Sequence, residues 1–236
     1  MLKQELTDAI SEARSAPPGL IYRLRMQTVG EELVSATFNE RKNVSERFHV
    51  VCSVEDFEGI GSGIRGELTR FGKVSFSCVW PQFERLSTDP LIEVCPIYKA
   101  YHQPVPDKNY TLVVACANVG STTPLVSILT HLIYDRGFED YEHIQIMAPV
   151  IHVDAKAELE RRVTLEKVEW SPAQLDTVFG DSWSTVPGVG GNPNVRAGFS
   201  STRERLQFMP DEVRIDLNKR REEIRALRLG SGLSLD

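Results

Sequence analysis

The chain has 236 residues, a formal net charge of −6, and 41% hydrophobic and 25% charged side chains. That is the balance of a globular protein able to bury a sizeable core, as one domain with appendages or as two small ones. A net negative chain has no general attraction for nucleic acid or an anionic membrane, and no apolar run nears the roughly 20 residues that span a bilayer. The start, MLKQELTDAISEARS, carries acids and has no apolar h-region, so a secretory signal is not expected and a cytoplasmic setting is.

In chain order, residues 2–14 predict a short amphipathic helix with Leu2, Leu6, Ile10 and Ala13 on one face, ended by Pro17-Pro18-Gly19. Residues 20–47 hold an ambiguous helix around Val29 to Ala36 and then the charged link NERKNVSER. Phe48 to Val54 predicts a buried strand. After it, Gly61, Gly63 and Gly66 match GxGxxG, a weak signal that more often marks a flexible turn, with no acidic residue ending a clear second strand. Val74 to Trp80 and Leu91 to Ile97 predict further strands, separated by the polar loop PQFERLSTDP, and Lys99 to Asn109 predicts an irregular, proline-bearing loop.

The most informative stretch is Tyr110 to Gly137. Thr111 to Cys116 is apolar and β-branched, as a buried parallel strand is. A small polar loop follows, Pro124 suits a first helical turn, Leu125, Ile128, Leu129, Leu132 and Ile133 recur at helical spacing, and Gly137 suits a C-cap. Strand, tight loop and helix N-terminus together make either an ordinary crossover or an anion site built from unpaired N–H groups. Asn118, Gly120, Ser121, Thr122 and Thr123 are the candidate phosphate and ribose contacts, with helix capping the alternative role for the hydroxyls.

Beyond it, His143 to Val150 predicts a buried strand, Asp154 to Arg162 a charged helix, and Val163 to Trp170 a further strand. Strands and helices alternating at this spacing argue an α/β domain with a mainly parallel sheet. Thr185 to Phe199 predicts a glycine- and proline-rich loop bounded by apolar residues, and Met209-Pro210-Asp211 opens a charged helix with a sparse apolar stripe, Val213, Leu217, Ile224 and Leu227. Cys52, Cys78, Cys95 and Cys116 form no CxxC pair and read as buried reduced thiols. The five histidines show no metal-ligand spacing, so no metal site is expected. His152 with Asp154, and Arg65 and Arg70 as lone cations, are weaker candidates whose plainer reading is a solvated surface.

Taken together, residues 90–199 resemble the uracil phosphoribosyltransferase branch of the type I phosphoribosyltransferases. The resemblance rests on TLVVACANVGSTTP before the helix PLVSILTHLIYDRGF, on Ala148-Pro149 ending the strand HIQIMAPV, and on TVPGVGGN with Val186, Pro187, Gly188 and Gly190. It implies a phosphoribosyltransferase-like α/β fold and transfer of ribose 5-phosphate from phosphoribosyl pyrophosphate to uracil, with Mg²⁺ only where catalysis is retained. It also implies pyrimidine contacts around Val186, Gly188 and Gly190. The departures are equally specific. Cys116 stands where the family has an acid, Ser121, Thr122 and Thr123 replace a Thr-Gly-Gly, and Gly191 replaces an aspartate. The pyrophosphate loop has no counterpart between Val74 and Ser87. A cysteine is no substitute for an oxygen ligand to a hard cation.

The resulting expectation is an N-terminal helical extension over 1–47, a phosphoribosyltransferase-like domain over 48–199 and a charged arm over 200–236. Its function is that of a catalytically degenerate relative used as an assembly component, self-associating or binding protein partners through its arms. The alternative is an active transferase or nucleotide-binding regulator whose ligand is phosphoribosyl pyrophosphate or a pyrimidine nucleotide.

Overall fold

A computed structural model describes residues 4–39, 47–88, 91–105, 108–165, 167–176 and 193–230. Two helices lead, α1 (Gln4–Ser15) and α2 (Leu20–Phe38), and then β1 (Arg47–Ser53), α3 (Val54–Phe57), α4 (Ile60–Leu68) and β2 (Lys73–Pro81). A hairpin of β3 (Glu84–Thr88) and β4 (Leu91–Val94) follows, and next come β5 (Ile97–His102), β6 (Tyr110–Ala115), α5 (Thr123–Thr130) and β7 (Tyr141–Met147). The chain continues through β8 (Val150–His152), α6 (Ala155–Arg162), β9 (Val168–Trp170) and β10 (Gln174–Asp176) to α7 (Pro193–Ala197), α8 (Thr202–Gln207) and α9 (Asp211–Gly230).

Six strands form one sheet in the order β5-β2-β1-β6-β7-β9, parallel throughout except for β5, which runs antiparallel to β2 at the edge. The expected class, α/β with a mainly parallel sheet flanked by helices, is what the chain adopts. Alternation along the buried strands divides the core in two. Phe48, Val50 and Cys52 of β1 and Val113 and Ala115 of β6 join α1, α2 and α4 on one face. Val51 of β1 and Leu112 and Val114 of β6 join α5 and α6 on the other.

The two N-terminal helices belong to the first of these cores. Leu6, Ile10 and Ala13 are buried, as the predicted stripe requires, and the helix expected around Val29 to Ala36 extends over all of α2. Gly61, Gly63 and Gly66 lie inside α4 rather than in a turn. A Cβ on Gly63 would come 2.0 Å from the Gln27 carbonyl oxygen, and one on Gly30 would come 2.5 Å from that of Ile60. These glycines let α2 and α4 touch backbone to backbone, so the GxGxxG match reports helix packing.

Two loop expectations are corrected. PQFERLSTDP holds β3, because Arg85 and Glu84 pair with Glu93 and Val94 in the hairpin. Lys99 to His102, expected in an irregular loop, belong to β5. The predicted strand Leu91 to Ile97 is broken at Cys95-Pro96, where proline withholds a ladder donor, and the chain turns into the sheet edge. The helix after β6 ends in a π turn over His131–Asp135, and Gly137 follows at φ +70°.

Candidate functional site

β1 sits where the strand order reverses: the chain leaves it for β2 on one side and β6 lies on the other. In open α/β sheets, ligands bind at the carboxyl ends of the strands at such a point. A cavity of about 460 Å³ lies there, lined at one wall by Ser53, Glu55 and Asp56 after β1 and at the other by Cys116 to Ser121 after β6. Phe83, Leu125 and Ile128 give it apolar surface, and Arg205 of α8 closes it.

The loop after β6 is held by backbone bonds. Cys116 N–H donates to Met147 O at 3.0 Å, Val119 N–H to Val150 O at 3.0 Å, and His152 N–H to Val119 O at 2.9 Å. Asn118, Gly120 and Ser121 line the cavity. Thr122 and Thr123 are buried behind it, where Arg162 at the end of α6 donates to both hydroxyls, at 3.2 and 2.7 Å. Ser121 Oγ accepts from the Thr123 N–H at 3.2 Å, a local turn at the start of α5.

Glu93 of β4 occupies the front of that loop. Ser121 Oγ donates to its carboxylate at 2.7 Å and Thr123 Oγ1 at 2.9 Å. A carboxylate against two hydroxyls at a helix N-terminus sits where an anion is electrostatically favoured. The hairpin therefore places a negative group, from within the chain, at the start of α5.

The opposite wall carries two acids, Glu55 and Asp56. Cys116 is indeed no acid. Asp56 instead reaches across from the turn after β1 and accepts at Oδ2 from the Ala117 N–H and from Ser53 Oγ, both at 3.2 Å. Burial, and then the charge of Glu55 beside it, raise the Asp56 carboxyl to about 7. Glu55 is also raised by burial, but Arg205 opposes that shift through an ion pair of 3.2 Å. Arg205 is nearly sealed from solvent, and its Nε has no acceptor among the described residues.

Mg²⁺ fits this donor set poorly. The Asp56 oxygen that holds the loop is committed to an N–H and a hydroxyl, Glu55 to a guanidinium, and no group of three metal-ligating side chains occurs among the described residues. The four cysteines are unpaired, with Cys95 and Cys116 lining the cavity and burial raising both thiols. Val186, Gly188 and Gly190 lie outside the described residues.

No family model matches the chain, and no curated protein matches it. Among solved structures, the chain is similar to the AQ2163 protein from Aquifex aeolicus, with a TM-score of 0.63 and 15% identity over 85% of this chain and 97% of that one. The two share a fold. Looser matches are TT1426 from Thermus thermophilus (TM-score 0.43, 11% identity, 77% and 94% covered) and a mutant hypoxanthine phosphoribosyltransferase from Trypanosoma cruzi complexed with the product IMP (0.33, 11%, 63% and 74%). These two add no weight to the fold or the site.

The weaker sequence candidates fall outside the cavity lining. Arg65 is buried 3.9 Å over the Phe57 ring and pairs with Glu212 at 2.6 Å, fastening α9 to α4, while Arg70 pairs with Glu67 at the surface. His152 and Asp154 pair at 3.6 Å with Asp154 exposed. Glu55, Asp56, Glu93, Arg162 and Arg205 were not singled out from the sequence. The one available signal was an acid pair directly after a predicted buried strand, at the edge where α/β sheets bind ligands. Among the described residues no helix is long and apolar enough to cross a membrane.

Proposed function

We propose that this chain is a phosphoribosyltransferase-like protein whose switch-point cavity binds a ribose 5-phosphate unit, carried by a ribonucleotide. The phosphate lies at the start of α5 against Gly120 and Ser121, and the C1′ side of the ribose lies beside Asp56. A pyrimidine is the base that the uracil phosphoribosyltransferase resemblance implies. The observation that carries this reading is Asp56 on the Ala117 N–H: it puts in space a carboxyl beside the loop in which Cys116 stands where the resemblance expects an acid.

Transfer from phosphoribosyl pyrophosphate is not part of the proposal. Among the described residues, the one cation lining the cavity is Arg205, and Glu55 already pairs with it at 3.2 Å, so no free positive charge faces a pyrophosphate group. Calorimetry with ribose 5-phosphate, UMP and phosphoribosyl pyrophosphate, with and without Mg²⁺, tests it. Micromolar binding of UMP, tighter than that of the pyrophosphate and unchanged by Mg²⁺, is expected. Absence of binding by both ribose 5-phosphate and UMP would refute the reading.

A second reading, assembly through the C-terminal arm, has one observation in its favour. The first half of α9 packs on its own chain through Val213, the Arg65–Glu212 pair and the Tyr101–Asp216 hydrogen bond. Its outer part exposes Ile224 and Leu227. That outer part is the surface a partner would cover.

A further inference from the structure

The carboxyl pair after β1 has more chemistry than ribose recognition needs. Both acids line one cavity, yet their surroundings differ: Glu55 is paired with a buried guanidinium, whereas Asp56 is held by an N–H and a hydroxyl. Two acids with unlike environments take unlike protonation states, which is how one site comes to hold both a proton donor and an anion. The cavity they line, about 460 Å³ at the switch point of the sheet, has the size of a small-molecule pocket.

We propose that Asp56 and Glu55 hydrolyse the N-ribosyl bond of the bound nucleotide, releasing free base and ribose 5-phosphate. This rests on the nucleotide reading above and names the reaction at that site. The C1′–N bond breaks with its electron pair passing to the base, which takes the proton of the Asp56 carboxyl. The Glu55 carboxylate, fixed by Arg205, offsets the positive charge developing on the ribose. Water then forms the new C1′–O bond and returns a proton to Asp56. Water is the acceptor because it is neutral and small, whereas pyrophosphate would enter a cavity whose one lining cation among the described residues, Arg205, is already paired with Glu55. No oxidant, metal or second substrate enters the balance.

The same geometry fixes how the rate depends on pH. Asp56 must be protonated to act, and burial holds its carboxyl up at about 7. Base release therefore proceeds below neutrality and declines above it, by about tenfold per pH unit for a single essential proton.

The test incubates the full chain separately with AMP, GMP, CMP and UMP, measures free base by liquid chromatography and ribose 5-phosphate as reducing sugar, and measures binding of each nucleotide by calorimetry. The expected result is equimolar base and sugar phosphate from at least one nucleotide. Asp56→Asn should lower that rate by about 100-fold or more at saturating nucleotide, its affinity being read separately by the calorimetry, since general-acid catalysis typically contributes 10² to 10⁴. Asp56→Glu, which restores the carboxyl, should recover part of the rate, a rescue that a purely structural role would not give. Binding without release would overturn the hydrolysis and leave the binding site standing. Release unchanged in Asp56→Asn would overturn the assigned acid, and neither binding nor release would overturn both proposals.

Discussion

Replacing Glu93 should tighten phosphate binding. Its carboxylate receives Ser121 Oγ at 2.7 Å and Thr123 Oγ1 at 2.9 Å, so an incoming phosphate must displace it or share those donors. A hydrogen bond to a charged group contributes about 1.5 to 3 kcal/mol. Two such bonds would be several kcal/mol, but Glu93 is only half-buried, so screening and water reduce the sum to about 2 kcal/mol. At about 1.4 kcal/mol per decade, Glu93→Ala should bind ribose 5-phosphate ~30-fold more tightly, and Glu93→Gln less so because the amide still accepts from the hydroxyls. Isothermal titration of the three proteins at one ionic strength reads the difference directly. Equal or weaker binding by Glu93→Ala would refute the idea that this carboxylate stands in the phosphate position.

Two further predictions concern stability and assembly. His49 is buried between Ser75 Oγ at 2.8 Å and Ser77 Oγ at 2.6 Å, and burial first, then the neighbouring His102, lowers its pKa to about 3. The unfolded chain takes up that proton near pH 6.5 and the native chain does not, so stability falls as pH drops from about 6.5 toward 3, by up to ~1.4 kcal/mol per unit. Asp56, raised to about 7, acts in the opposite sense, its contribution being lost as pH rises toward neutrality. Urea midpoints between pH 7 and 4 should therefore fall less steeply in His49→Asn than in the natural chain, and identical slopes would refute the assignment. If the outer part of α9 mediates assembly, a chain ending at Arg220 should keep its melting temperature and show a smaller mass by light scattering; an unchanged mass would remove the assembly reading.

The fold was largely legible because its signals are local. Phe48 to Val54 and Thr111 to Cys116 read as buried strands since both faces are apolar, and they became the two neighbouring strands of the sheet centre. What failed were the edges. β5 carries Tyr98, Lys99 and His102 on a half-exposed strand, a pattern that periodicity cannot separate from loop, and β3 is a short hairpin strand with polar side chains. Gly63 misled for a different reason. A glycine needed for helix contact and one needed for a phosphate turn are the same letter, and only the 2.0 Å approach of the Gln27 oxygen tells them apart.

The site was less legible because its parts are joined through the sheet and not along the chain. A motif comparison finds Cys116 where an acid is expected and concludes that the acid is gone. Cys52 of β1 lies opposite Ala115 of β6, so the turns leaving these strands emerge side by side. A carboxyl 61 residues earlier can then meet the Ala117 N–H. Arg205 and Glu93 arrive in the same way, from α8 and from the hairpin. Asp56 thus stands beside the loop with a second acid, Glu55, for a neighbour. In the proposed site that company favours a proton-donating carboxyl.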